Sequence, residues 1–127
     1  MIRALTLALI SPFILFAQTI EVLDEWLVVP DEYETIQSAI TASEDGNTVF
    51  VKNGTYILNS DNGGGVYFNG KNISIIGESK ESTILDGTDL NNENIVYFND
   101  SNDGSPTSSI NASLENFTLK NGYWSPQ

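Results

Sequence analysis

The chain has 127 residues, room for one domain of ordinary size. It has no Cys and no His, and five basic residues against 17 acidic ones give a formal charge of −12. That excludes a disulfide framework and thiol or imidazole chemistry. It also leaves a surface that repels nucleic acid, anionic lipid and, unless metal ions intervene, acidic polysaccharide.

Met1-Ile2-Arg3 is a short basic start, Ala4 to Phe16 is almost unbroken apolar sequence, and Ala17-Gln18 offers a small residue at a cleavage point. The pattern predicts a secretory signal peptide over 1–17 and a protein that is secreted or held at the cell surface. The other reading is an uncleaved N-terminal anchor, although the run is short for a bilayer-spanning helix. Arg3 is the only Arg, so after cleavage Lys52, Lys71, Lys80 and Lys120 face all 17 acidic residues, a net −13. No later segment is apolar enough to cross a membrane, and such acidity also keeps an exported protein soluble.

Residues 18–30 form a lead segment in which Ile20, Val22, Trp26 and Val28 alternate loosely with polar neighbours, suited to a short strand or an extended arm ending at Pro30. Asp31 and Glu34 have capping-box spacing, and Ile36, Ala39 and Ile40 fall on one helical face with Tyr33 a turn earlier. Glu44-Asp45-Gly46-Asn47 supplies the stop. From Thr48 the period changes to two: Val49 and Val51 point one way, Phe50 and Lys52 the other. Asn53-Gly54 reads as a turn. Short strands are then expected at Val66–Asn69, Ile73–Ile76, Thr83–Leu85, Ile95–Asn99 and Leu114–Lys120, each bounded by Gly, Asn, Asp or Ser.

These strands repeat. Val66-Tyr67-Phe68-Asn69 recurs verbatim as Val96-Tyr97-Phe98-Asn99, and Asn47–Gly54 is similar to Asn116–Gly122, with Asn72–Gly77 a looser copy. A polar loop from about Ser101 to Asn111, containing Pro106, lengthens the second unit. Units of this kind cannot bury their own apolar face and must stack on a neighbour, which indicates a solenoid. A β-sandwich of hairpins is the alternative.

Tyr33-x-Thr35-Ile36-Gln37-x-Ala39-Ile40 followed by Gly46-Asn47-Thr48-Val49-x-Val51-x-x-Gly54-Thr55-Tyr56 resembles the N-terminal end of secreted right-handed parallel β-helix proteins of the pectin-lyase-like superfamily. Asn72–Gly77, Ser82–Gly87 and Leu114–Gly122 are similar to its coil sequences. The resemblance covers about 31–122. It implies a mainly β fold, a right-handed parallel β-helix with a short N-terminal capping helix over 31–127. The expectation is that the stack is truncated at its C-terminal end, with further coils beyond residue 127. Val49, Val51, Ile73, Ile75, Ile84, Val96, Phe98, Phe117 and Leu119 would point inward in columns, and Asn47, Asn72 and Asn116 would hold the bends.

The superfamily includes pectate lyases, polygalacturonases, pectin methylesterases and surface proteins of unknown role. Pectate lyases use an Arg base with calcium, and polygalacturonases use several Asp residues with a His and a basic motif. Without mature Arg or His, neither set maps onto this chain, and no catalytic residue is assigned. Asp86, Asp89 and Glu93 form the one carboxylate group worth weighing for glycosidic hydrolysis, with a turn at Asp86-Gly87 as its plainer role. Asp100, Asn102 and Asp103 offer calcium ligands at alternating positions of a Gly-containing loop, and 59–63 is a lesser version. Tyr67 and Tyr97 fall at equivalent outward positions where a sugar ring could stack, or where they could stack on each other. Asn53, Asn72, Asn111 and Asn116 each begin an Asn-x-Ser/Thr sequon.

Three functions remain open: a secreted scaffold or carbohydrate-interacting module that is non-catalytic over these residues, the N-terminal part of a polysaccharide lyase or hydrolase, and an adhesin-like surface stalk. The expected partner is a polysaccharide or cell-surface glycan, with no nucleic acid and no membrane span after signal removal. Calcium is the one cofactor considered.

Overall fold

The structure, a computed structural model, describes residues 20–23, 25–60, 64–98 and 111–123. Residues 1–17, where the sequence predicts a signal peptide, the Asp100–Asp103 loop and Trp124 lie outside them. In chain order the elements are β1 (Leu27–Val29), α1 (Ile36–Ala42), β2 (Thr48–Val51), β3 (Gly54–Asn59), β4 (Val66–Tyr67), β5 (Ser74–Gly77), β6 (Thr83–Asp89), β7 (Val96–Tyr97), β8 (Ser113–Glu115) and β9 (Thr118–Lys120). They form three sheets, β1-β2-β5-β8, β3-β6-β9 and β4-β7, and every ladder is parallel. A sandwich of antiparallel hairpins is therefore excluded. Over the described residues the protein is mainly β with parallel sheets and one short helix, compatible with a β-helix-like solenoid.

The order of pairing explains the repeat. The triplet β2-β3-β4 lies beside β5-β6-β7, and β8 and β9 continue two of the three sheets. Side chains at one register therefore line up in files. Leu27, Val49, Ile75 and Leu114 form one, and Tyr56, Leu85 and Leu119 another. Val66 pairs with Val96, and Phe68 stacks on Phe98 with centroids 4.6 Å apart. Val49, Val51, Ile73 and Ile75 are buried as the alternation predicts. Phe117 and Val96 pack half-buried against that core. Leu119 and Phe98 keep 48% and 42% exposure, because no described strand lies beyond β9 and β7.

Four local expectations are corrected. The residue of β6 that enters the core is Leu85, while Ile84 lies half-buried between Thr55 and Thr118. In the Ile84-Leu85 pair both residues are apolar, so alternation leaves the parity open. The bend decides it: Thr83 is buried, with its hydroxyl donating to Asn53 Oδ1 at 3.2 Å and accepting from the Ser79 N–H at 3.2 Å. Gly54–Asn59 is a strand, so Asn53-Gly54 is a corner between sheets and not a hairpin turn. Leu114–Lys120 is two strands bent at Asn116, whose φ is +60. Hence β9 pairs with β6, and the true equivalents of Asn72 are Gly46 and Asn111, not Asn116. Phe50 points outward as expected yet is buried, because Trp26 of the lead segment lies against it at 5.9 Å.

The helix begins one residue after Thr35, not at Asp31. Thr35 has extended backbone and accepts from the Ser38 N–H at 3.0 Å, while Ser38 Oγ accepts from the Thr35 N–H at 3.2 Å. This reciprocal box satisfies two otherwise unpaired donors. Asp31 instead forms an ion pair with Lys52. Ile36, Ala39 and Ile40 are buried, and α1 packs on β1, β2 and β4. Two polar contacts set its position. The Gln37 side-chain amide donates to Tyr67 O at 3.1 Å and accepts from the Tyr67 N–H at 2.9 Å, standing beside β4 as a neighbouring strand would. Lys71 Nζ donates to the carbonyls of Ile40, Thr41 and Ser43 at 2.6, 2.9 and 2.8 Å. Ile40 O also accepts from the Ser43 N–H and hydroxyl, and the ammonium adds a cation at the helix C-terminus, where one is favourable.

Replacing Lys71 with Met should remove the ammonium from these three carbonyls and lower stability by roughly 1–3 kcal/mol. Urea unfolding followed by tryptophan fluorescence checks this, and a midpoint equal to that of the parent protein would show that water replaces the ammonium at no cost.

Candidate functional site

The bends between sheets carry most of the polar chemistry. At the first, Asn72 donates its backbone N–H and side-chain Nδ2 to the Asp45 carboxylate at 2.9 and 3.0 Å and accepts from the Asn111 N–H at 2.8 Å. These bonds from Asn72 hold the Asp45 carboxyl below its usual range. The ladder joins successive units edge to edge, and it occupies the amide of the Asn72 sequon.

Asp86 is the most heavily engaged carboxylate. It is nearly buried on β6 and accepts from the Thr88 hydroxyl at 2.6 Å, the Thr88 N–H at 3.0 Å, Asn121 Nδ2 at 2.8 Å and Lys120 Nζ at 3.0 Å. Asn121 also donates to Thr88 Oγ1 at 2.8 Å. The Thr88, Asn121 and Lys120 donors, in that order, hold the Asp86 carboxyl far below the ordinary aspartate range. A carboxylate with its lone pairs so occupied acts as a tie between β6 and the end of β9, and proton transfer is not what it is arranged for.

Just past Asp86 the period breaks. Ile57 pairs with Asp86, but Asn59 pairs with Asp89, so β6 carries one extra residue there. A bulge of this kind re-aims side chains. Thr88 and Asp89 are consecutive and both exposed, which a regular strand packed on one face would not give. Gly87 is required at this point, since a Cβ would sit 2.8 Å from the Asn121 carbonyl. The result is a polar cleft of about 360 Å³ lined by Asn59, Ser60, Thr88, Asp89 and Asn91. Ser60 Oγ accepts from the Asn91 N–H at 3.3 Å, tying the two walls.

Tyr67 and Tyr97 do meet. Their rings stack at 4.4 Å and 4°. The Tyr97 hydroxyl accepts from the Asn94 N–H at 2.9 Å. Burial, then the proximity of Tyr97, raises the Tyr67 phenol above its usual range. One face of each ring is spent on the other, so the faces turned inward in this pair are closed to a sugar. Glu93 lies in the same region, with Oε2 buried and without a hydrogen-bond partner. A Cβ at Gly64, whose φ is +76, would come within 2.2 Å of that oxygen. Asp86, Asp89 and Glu93 thus have three different surroundings. A second cavity, about 290 Å³, separates the start of α1 from β3 and includes Glu34, Thr35, Tyr56 and Leu58.

Among the described residues no group of three or more acidic, His or Cys side chains could hold a metal, and no helix is long and apolar enough to cross a membrane. Asp100, Asn102 and Asp103 lie outside the described residues. Sequence reasoning missed the cleft, because Asn59 and Asp89 are thirty residues apart and are joined only by the register of β3 and β6. No family model, no curated protein and no solved structure matches this chain.

The Asp86 tie sets an acid limb. Its folded-state value lies below the ordinary 3.8, so its contribution is complete above that pH and fades as pH falls further. Asp86→Asn should be less stable than the parent protein at neutral pH, with the difference in urea midpoint shrinking from about pH 4 downward. A difference independent of pH would mean that shape, not charge, holds the tie.

Proposed function

We propose that residues 31–127 form the helix-capped opening of a right-handed parallel β-helix, in an exported protein that serves outside the cell as a carbohydrate-engaging scaffold and is non-catalytic over these residues. The observation that carries the reading is the sequential parallel register, β2, β3 and β4 on β5, β6 and β7, with β8 and β9 following. Right-handed crossovers are the rule for parallel connections. The helix supports the lid role because its apolar face meets the core while Gln37 occupies the outer edge of β4. A lid is what an open sheet end needs.

The scaffold reading is supported by the saturated bonding of Asp86, which is suited to holding units together. The sequence resemblance to secreted β-helix proteins, many of which act on or bind polysaccharides, supports a glycan partner. Exposed hydroxyl, amide and carboxylate groups at the bends match the donors and acceptors of sugar hydroxyls. The leader-like N-terminus supports export.

Affinity electrophoresis of the purified protein through gels containing neutral and uronate polysaccharides tests this reading, paired with product analysis after long incubation. Retardation by at least one neutral polysaccharide is expected, without new reducing ends or unsaturated sugars. Free migration through every gel, or the release of such products, overturns it.

A further inference from the structure

We infer that the cleft at the β6 bulge is a binding site for an uncharged oligosaccharide, with Asp89, Asn91 and Ser60 as its hydrogen-bonding residues. The inference rests on the proposed carbohydrate role and assigns it a place and a ligand class.

Three observations carry it. The extra residue in β6 turns Thr88 and Asp89 to the outside together, beside Asn59, at a point where an unbroken strand would present one of them inward. Bulges are commonly kept where a side chain has to be re-aimed. The cleft volume, about 360 Å³, lies within the range of ligand sites, toward its small end. The wall chemistry is the third. Thr88 Oγ1 is occupied by Asp86 and Asn121 and acts as part of the frame. Ser60 Oγ accepts from the Asn91 N–H, and a hydroxyl that accepts also carries a proton it can donate. Asp89 and Asn91 are exposed and line the cleft.

One carboxylate, one primary amide and one hydroxyl give acceptors and donors in mixed supply. That suits a ligand whose groups each donate and accept, and hydroxyls on adjacent carbons do both. A phosphate or uronate would meet Asp89 with no Lys in the cleft wall to neutralise it, under a net charge that is strongly negative. A divalent cation would find one carboxylate and otherwise neutral oxygens, a poor donor set for a hard ion. An apolar peptide side chain would find no apolar residue in the wall. Unlike the Tyr67–Tyr97 pair, whose facing surfaces are in mutual contact, Asp89 and Asn91 are exposed.

The test is calorimetric titration of the full chain with cellotetraose, xylotetraose and mannotetraose, with tetragalacturonate and calcium chloride as separate arms. The parent protein is compared with Asp89→Asn, Asn91→Ala and Tyr97→Leu. Urea midpoints establish that each variant is folded, and Asp89 and Asn91 are exposed enough for their replacement to be tolerated. At least one neutral tetrasaccharide should bind, about tenfold or more weakly in Asp89→Asn and Asn91→Ala, the loss expected from one hydrogen bond to a charged or fixed polar group. Neutral sugar binding that survives both cleft variants, or that is lost only in Tyr97→Leu, overturns the site and leaves the carbohydrate role standing. Tetragalacturonate as the better ligand, or heat only from calcium with loss in Asp89→Asn, overturns the ligand class. Binding of none of these together with free migration in the polysaccharide gels removes the site and the role alike.

Discussion

Everything in this protein depends on parallel backbone pairing between equivalent strands of successive units. Each strand is short, from two to seven residues, and could not persist alone. Pairing in register makes a file from each position, so a Val, Ile or Leu in one unit finds its counterpart directly beside it. The same register puts Asn72 against Asp45 and Asn111, and Tyr67 against Tyr97. Burial, side-chain ladders and aromatic stacks are consequences of one geometric repeat.

Parallel ladders leave edges, and those on the side of β1, β3 and β4 have different neighbours. Sheet β1-β2-β5-β8 is extended by the lead segment, whose Trp26 also covers the outward Phe50. Sheet β4-β7 has no extra strand there among the described residues, and the Gln37 amide stands in that position, donating and accepting at Tyr67. Sheet β3-β6-β9 is bordered at β3 by a cavity, and Ile57 stays 59% exposed. Lys71 belongs to the same problem. It comes from the loop before β5, yet bonds the last carbonyls of α1, so the helix is held by the unit it adjoins. An edge held by a single amide is less costly to leave open than one that exposes a whole strand.

The architecture was legible because periodicity is a property of many residues at once. The change from a helical to a two-residue period at Thr48, the duplicated Val-Tyr-Phe-Asn, and the apolar face Ile36, Ala39 and Ile40 each survive in the structure. What failed were decisions resting on single residues. Ile84-Leu85 offers no polar neighbour to set its parity, and Thr83 settles it through bonds to Asn53 and Ser79. Asn116–Gly122 looks like Asn47–Gly54 in letters, but belongs to a different sheet because Asn116 turns the chain. Asp31 and Glu34 had the spacing of a cap, while Thr35 and Ser38 had the reach. Lys71 and Gln37 gave no signal, since their partners are about thirty residues away.

The candidate site was illegible for a related reason, and that reason bears on function. A repeat averages its sequence toward what stacking needs, so residues that serve stacking are found by comparing units. Tyr67 and Tyr97 stand out in the sequence because they repeat, and in the structure they contact each other. Asp86 stands out beside a turn, and it binds Lys120, Thr88 and Asn121. Groups free to meet a ligand should instead lie where the repeat is interrupted, because there the side chains are released from the file. The β6 bulge is such an interruption within the described residues: β3 has no matching insertion, and the extra residue brings Thr88 and Asp89 to the same side. The departure from periodicity therefore marks the candidate surface, whereas the repeated aromatic pair owes its strength as a sequence signal to its service to the stack.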